Sequence, residues 1–150
     1  MKRILVTAFL CLMALAASCS ESRRLPDFVN PAKTHGFTQL AHGEDAGEKE
    51  PGSFWIFAGD VPFSTWRNAT AATLTANQWT VGRQQNITDS EIELLAGSPD
   101  GQSCLAFYNL DTGDPRTAYD RRRASLLAPE ALKAASPFQT SMLVVALQCP

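Results

Sequence analysis

The sequence predicts an α+β fold built on a small antiparallel sheet, and three stretches carry that expectation. Residues 141 to 148, Ser-Met-Leu-Val-Val-Ala-Leu-Gln, form a run of β-prone residues near the C-terminus. Two β-compatible runs flank Ser98-Pro99-Asp100-Gly101, a block of turn-forming residues that reads as a hairpin. Pro129 to Ala135 reads as a short helix that opens on proline, where the missing N–H costs nothing, and stops before Ser136-Pro137.

One hundred and fifty residues is a one-domain length, and 45% hydrophobic with 19% charged residues is an ordinary globular composition. The formal charge is −2; removing the first eighteen residues takes Lys2 and Arg3 with them and leaves 11 basic against 15 acidic residues, a net −4. Nucleic-acid binding draws on concentrated Lys and Arg, so nucleic acid is excluded as the expected partner. Beyond residue 20, no stretch approaches the run of about 20 apolar residues that spans a bilayer.

The first twenty residues read as an export signal. Met1-Lys2-Arg3 is a short positive start, residues 4 to 17 are an apolar core, and small residues follow. Ala16-Ala17-Ser18-Cys19 resembles the lipobox of bacterial lipoproteins, departing from its commonest form in having Ala16 where Leu is usual. The resemblance implies that the Cys19 thiol carries diacylglycerol, that the chain is cut before it, and that the new amine is acylated with a chain such as palmitate. It also implies a cell-envelope location, with Ser20 rather than Asp after the cysteine pointing to the outer membrane, facing the periplasm. Small residues at positions 14, 16 and 18 also suit an ordinary signal peptidase, which would release a secreted protein without lipid. Cys11 lies inside the apolar core and is discarded in either case. If Cys19 takes the lipid, Cys104 and Cys149 remain as one pair, which resolves an odd cysteine count in an oxidising compartment.

The chain divides into a signal peptide over 1–18, a tether over 19–52 and a globular domain over 53–150. Residues 20 to 52 are rich in charge, Gly and Pro without a persistent apolar period, which suits a lipid-anchored flexible tether. Phe28, Val29, Phe37 and Leu40 are scattered hydrophobes able to dock on the domain. Strands are expected near 54–58, 91–97, 103–110 and 141–149. In residues 64 to 79, Trp66, Ala69, Thr73 and Ala76 share one helical face behind Ser64 as N-cap, while the Thr content argues for strand; helix is preferred. Residues 115 to 128 are polar and read as an exposed loop. The string SPDG…LAF, residues 98 to 107, resembles propeller blades of the TolB type, but it occurs once, and a propeller needs at least four blades.

The cysteines supply a register. With 103–110 antiparallel to 141–149 and Cys104 opposite Cys149, Ala106 meets Leu147, Tyr108 meets Val145 and Leu110 meets Leu143. Leu105, Phe107, Met142, Val144 and Ala146 fall on the opposite face, where Ile92 and Leu94 join them. A central strand with apolar residues on both faces needs cover on both, from helices or a second sheet. Closing the 45-residue interval between the cysteines would stabilise the fold by about 4 kcal/mol on the chain-entropy model. Two buried free thiols are the alternative.

Chemistry is sparse. The two histidines, His35 and His42, fall in the tether, so a Ser-His-Asp or Cys-His apparatus in the domain is not expected, and neither is a metal site or a cofactor. Asp60, Asp89, Glu91, Glu93, Asp100, Asp111, Asp114 and Asp120 are the carboxylates from which a glycosidase-type pair would have to come. Arg116 with Arg121, Arg122 and Arg123 is the one concentrated positive patch, a candidate contact for an anionic partner. The expected function is a non-catalytic binding or assembly module of the cell envelope, with an envelope protein as partner. The alternatives are an envelope enzyme working through a carboxylate pair, and a secreted protein without lipid.

Overall fold

The last strand of the chain is also one of the two innermost. In the computed structural model, which describes residues 24–45, 52–82, 94–111 and 118–148, six strands form one antiparallel sheet in the order β1-β2-β6-β5-β4-β3. The strands are β1 (Thr38–Asp45), β2 (Gly52–Gly59), β3 (Thr80–Gly82), β4 (Leu94–Gly97), β5 (Ser103–Asn109) and β6 (Thr140–Gln148). The helices are α1 (Pro31–His35), α2 (Phe63–Ala76), α3 (Ala118–Leu127) and α4 (Pro129–Ala134). This is the α+β class with a small antiparallel sheet that the sequence predicts.

Both faces of the sheet are covered, as the apolar character of β6 on both sides demands. One face presents Trp55, Phe57, Leu94, Leu105, Phe107, Met142 and Val144, packed against Phe63, Trp66 and Leu74 of α2 and against Leu25, Val29 and Phe37 of the N-terminal segment. The other presents Phe54, Ile56, Ala106, Tyr108, Leu143 and Val145, closed over by Ala124 of α3 and Ala131 of α4. The architecture is therefore helix, sheet, helix.

The β5–β6 register differs from the predicted one by two residues. Cys104 lies opposite Leu147, Ala106 opposite Val145 and Tyr108 opposite Leu143. Because side chains alternate with a period of two, this shift leaves every residue on its predicted face, whereas a one-residue slip would have inverted them all. Leu94 pairs with Phe107 and joins the Leu105 face as expected; Ile92 and the first part of the 91–97 strand lie outside the described residues. The hairpin turns as its sequence requires. The Ser98 amide donates to the Ser103 carbonyl at 2.8 Å, and the Gln102 amide to Asp100 Oδ1 at 3.0 Å. Gly101 adopts φ 71°, the left-handed region that a side chain disfavours.

Three expectations change. First, residues 24–45, assigned to the tether, are part of the domain. Asn30 caps α1 by accepting from the Ala32 amide at 3.0 Å, and β1 pairs with β2 along its length, with an irregularity between Gln39 and Ala41. Val29 is fully buried, and the Phe37 ring sits so close to Gly59 that a Cβ there would lie 2.9 Å from it. Second, residues 118–127 form α3 rather than a loop, since Asp120 and Ala124, four apart, both turn to the sheet and are fully buried. Third, α2 is a helix with a different buried face from the one expected. Phe63, Trp66, Thr70 and Leu74 point inward while Ala69 and Ala76 are exposed, and Pro62 rather than Ser64 stands at the N-cap. Leu74 draws the helix round: it is the largest aliphatic side chain of α2, and its burial outweighs that of the alanines.

The packing of the N-terminal segment gives a direct test. Phe37→Ala is expected to lower stability by about 3–5 kcal/mol in urea unfolding, the cost of emptying an aromatic core site. A flexible tether residue would register no change.

Candidate functional site

Three consecutive arginines cannot act together from a helix, because successive residues are turned by about 100°. α3 splits the Arg121–Arg123 run accordingly. Arg121 turns toward the end of β5, where a guanidinium nitrogen donates to the Leu110 carbonyl at 2.8 Å, an oxygen that the Ser141 hydroxyl also approaches at 3.4 Å. Arg123 reaches over the sheet to Asp45, the last described residue of β1, and forms an ion pair with its carboxylate. Its guanidinium also lies 5.9 Å from the centroid of the Tyr108 ring. Arg122 points to solvent. Arg116 lies outside the described residues. Of the predicted anionic-partner contact, the structure leaves Arg122 outward and gives Arg121 and Arg123 structural work.

Arg123 gathers ionisable groups from three elements, Asp45 of β1, Tyr108 of β5 and its own helix α3. Asp45 and Asp120 are both buried. Burial works against the Arg123 charge, but the hydrogen bond and attraction of Asp45 outweigh it and hold the guanidinium pKa above its ordinary value. Burial pushes the Tyr108 phenol up; the nearby Asp120 and Asp45 carboxylates add to the rise, and Arg123 opposes it. The cluster thus ties edge strand β1 and helix α3 to the centre of the sheet.

A cleft of about 380 Å³ opens at the end of the sheet where β5 finishes and β6 begins. Pro62, Phe63, Ser64 and Arg67 line one side, and Asn109, Asp111, Gln139 and Thr140 the other. A smaller cavity of about 100 Å³ adjoins it, sharing Asp111 and Gln139 and reaching Arg121 and Phe138. Asp60 is tied to the same end by accepting the Gln139 amide at 3.3 Å. Of the carboxylates singled out from the sequence, Asp60 and Asp111 therefore come to one end of the sheet. Asp100 is held in the hairpin turn, where the Ser98 hydroxyl and the Gln102 amide lower its pKa, and Asp120 lies under α3. Asp89, Glu91, Glu93 and Asp114 lie outside the described residues.

Among the described residues no group of three or more His, Cys, Asp or Glu side chains is placed to hold a metal ion. His35 contacts the Thr34 hydroxyl at 2.8 Å, and His42 stacks flat on Trp55 with ring centroids 4.9 Å apart. Glu44 accepts from the Ser53 hydroxyl at 3.3 Å and Asp45 is engaged by Arg123, so neither faces a common centre with the histidines. The tryptophans serve packing. Trp66 sits between Phe63 and Phe107, with centroids 5.4 and 5.2 Å away, and Trp79 meets the edge of Phe28.

Cys104, near the start of β5, is disulfide-bonded. Cys19 and Cys149 lie outside the described residues. No helix among the described residues is long and apolar enough to cross a membrane. No protein-family model, no curated protein and no solved structure matches this chain.

The ionic cluster makes two measurable claims. Asp45→Asn leaves the Arg123 guanidinium largely buried without its counter-charge and is expected to cost about 3 kcal/mol in urea unfolding, near the low end for such a pair because the Arg123 side chain is 25% exposed. The second claim concerns alkaline pH. With the folded pKa of Tyr108 above the unfolded value of about 10, the unfolded chain loses its phenolic proton first, so stability falls as pH rises beyond that point. Tyr108→Phe removes that component of the alkaline loss, read as a flatter stability profile above about pH 10.

Proposed function

We propose that this protein is a cell-envelope lipoprotein, anchored by a lipid on Cys19 and presenting a non-catalytic binding or assembly module to the periplasm. The observation that carries the reading is the junction itself. A lipobox-like Ala16-Ala17-Ser18-Cys19 closes an apolar export signal, and Leu25, the first core side chain among the described residues, follows only six positions after Cys19. Ser20 after the cysteine supports the outer membrane over the inner.

The packing of residues 24–45 changes what such an anchor does. Six residues reach at most about 20 Å when fully extended. The lipid therefore works as a short leash that keeps the domain at the bilayer surface, and not as the long tether the sequence suggests. Leu25 packs on the sheet face covered by α2, so that face lies toward the membrane.

The cysteine count supports the same reading. We pair Cys104 with Cys149, which leaves Cys19 for the lipid. In the β5–β6 register Leu147 is opposite Cys104, and Cys149 follows two residues later in the sequence.

Intact mass of the mature protein recovered from membranes tests the anchor. Acyl mass localised to residue 19, with loss of membrane association in Cys19→Ser, is the expected result. An unmodified chain starting near residue 17 in the soluble fraction would establish plain secretion instead. For the pair, Cys149→Ser is expected to reduce stability by about 4 kcal/mol in urea unfolding. An unchanged midpoint would show that Cys104 does not depend on Cys149.

A further inference from the structure

The residues of α3 that face the sheet account for its packing, and the residues that face away are not what a solvated helix surface requires. Asp120 and Ala124 are fully buried and Leu127 is partly buried against the Tyr108 face. On the outer side, Tyr119, Arg122 and Leu126 stand at spacings of three and four, which stacks them in one stripe. Tyr119 is 50% exposed and Leu126 79% exposed, and they are the two exposed large hydrophobic side chains among the described residues. Arg122 lies between them. The helix supplies no carboxylate to neutralise it, since the one acid of α3, Asp120, is buried beneath.

We propose that the Tyr119–Arg122–Leu126 stripe is the docking surface of the module, and that its partner is a protein presenting a carboxylate beside an apolar recess. The proposal rests on the binding-module reading and specifies its surface. Tyrosine and arginine are the residues that dominate interface energies, because each buries a large area and keeps a directed polar group. The charge selects the occupant. An unneutralised Arg122 between two apolar side chains complements an acid set in an apolar rim. A second copy docked about a two-fold axis through the stripe would instead bring Arg122 against Arg122. The bilayer is the wrong occupant for a geometric reason. The N-terminal segment packs on the opposite face of the sheet, and a leash of about 20 Å is spent in passing the sheet and α3, each about 10 Å thick, before any of it reaches a bilayer on that side.

The test uses the full-length protein in its native envelope, with a photoreactive benzophenone amino acid replacing Leu126, and in a parallel sample replacing Gln102 in the exposed hairpin turn. The expected result is one discrete protein adduct from position 126 and none from position 102. Arg122→Glu should reduce that adduct at least tenfold, and substituting lysine for the partner acid at the crosslinked site should restore it. Tyr119→Ala should weaken the adduct while leaving the thermal midpoint unchanged. Adducts to lipid or to a second copy, an adduct indifferent to Arg122→Glu, or no adduct at all would each overturn the proposal. Intact mass of the same samples reports acylation at Cys19, so failure of the anchor and failure of the docking surface are told apart.

Discussion

The structure depends on β6 being buried on both sides. Thr140–Gln148 enters last in sequence yet lies between β2 and β5, joining the N-terminal hairpin to the β3–β4–β5 meander. Met142 and Val144 point to one face, Leu143 and Val145 to the other, and all four are fully buried. Sealing both faces of one strand requires a covering layer on each, and here the chain supplies helices from its two long connections. α2 lies between β2 and β3, while α3 and α4 lie between β5 and β6. The non-local pairings of β6 cannot form until nearly the whole chain is present, so the two halves of the sheet are joined only when the C-terminal strand docks.

The parts of this fold that were legible in the sequence are those where local chemistry and burial agree. β6 is β-prone and apolar throughout, and the Ser98–Gly101 turn specifies its own hairpin. The face assignment of β5 and β6 survived a two-residue error in register because alternation is insensitive to even shifts. What escaped was structure made from polar sequence. β1 is an edge strand whose outer side faces water, so Thr38, Gln39, His42 and Glu44 are exposed and the stretch reads as tether. α3 carries Arg-Arg-Arg and buries just one small apolar residue and one acid on the sheet, leaving little apolar period to detect.

The functional residues divide in the same way. Their identity was visible in the sequence but their direction was not. The arginine run is conspicuous as charge, yet a helix turns Arg121 and Arg123 to neighbours within the domain and leaves Arg122 outward. Leu126 gave no signal at all, since a leucine in a stretch read as loop is as easily core as surface. Its exposure becomes meaningful once Asp120 and Ala124 fix the helical phase. The Asp45–Arg123 pair joins positions 78 apart, and no local pattern announces such a contact.

The two errors about polar segments have one consequence for orientation. With residues 24–45 counted as tether and 118–127 as loop, the domain would swing freely from its lipid and offer no particular side to a partner. With both folded, the molecule acquires a polarity. The N-terminal segment leads onto the α2 face, while α3 covers the opposite one. On the proposed anchoring, a leash that is spent in passing the sheet and α3 presents the α3 stripe away from the membrane, already oriented for capture. Orientation of this kind removes part of the rotational freedom that association would otherwise cost, so a small stripe of three side chains can serve where a freely tumbling domain would need a larger interface.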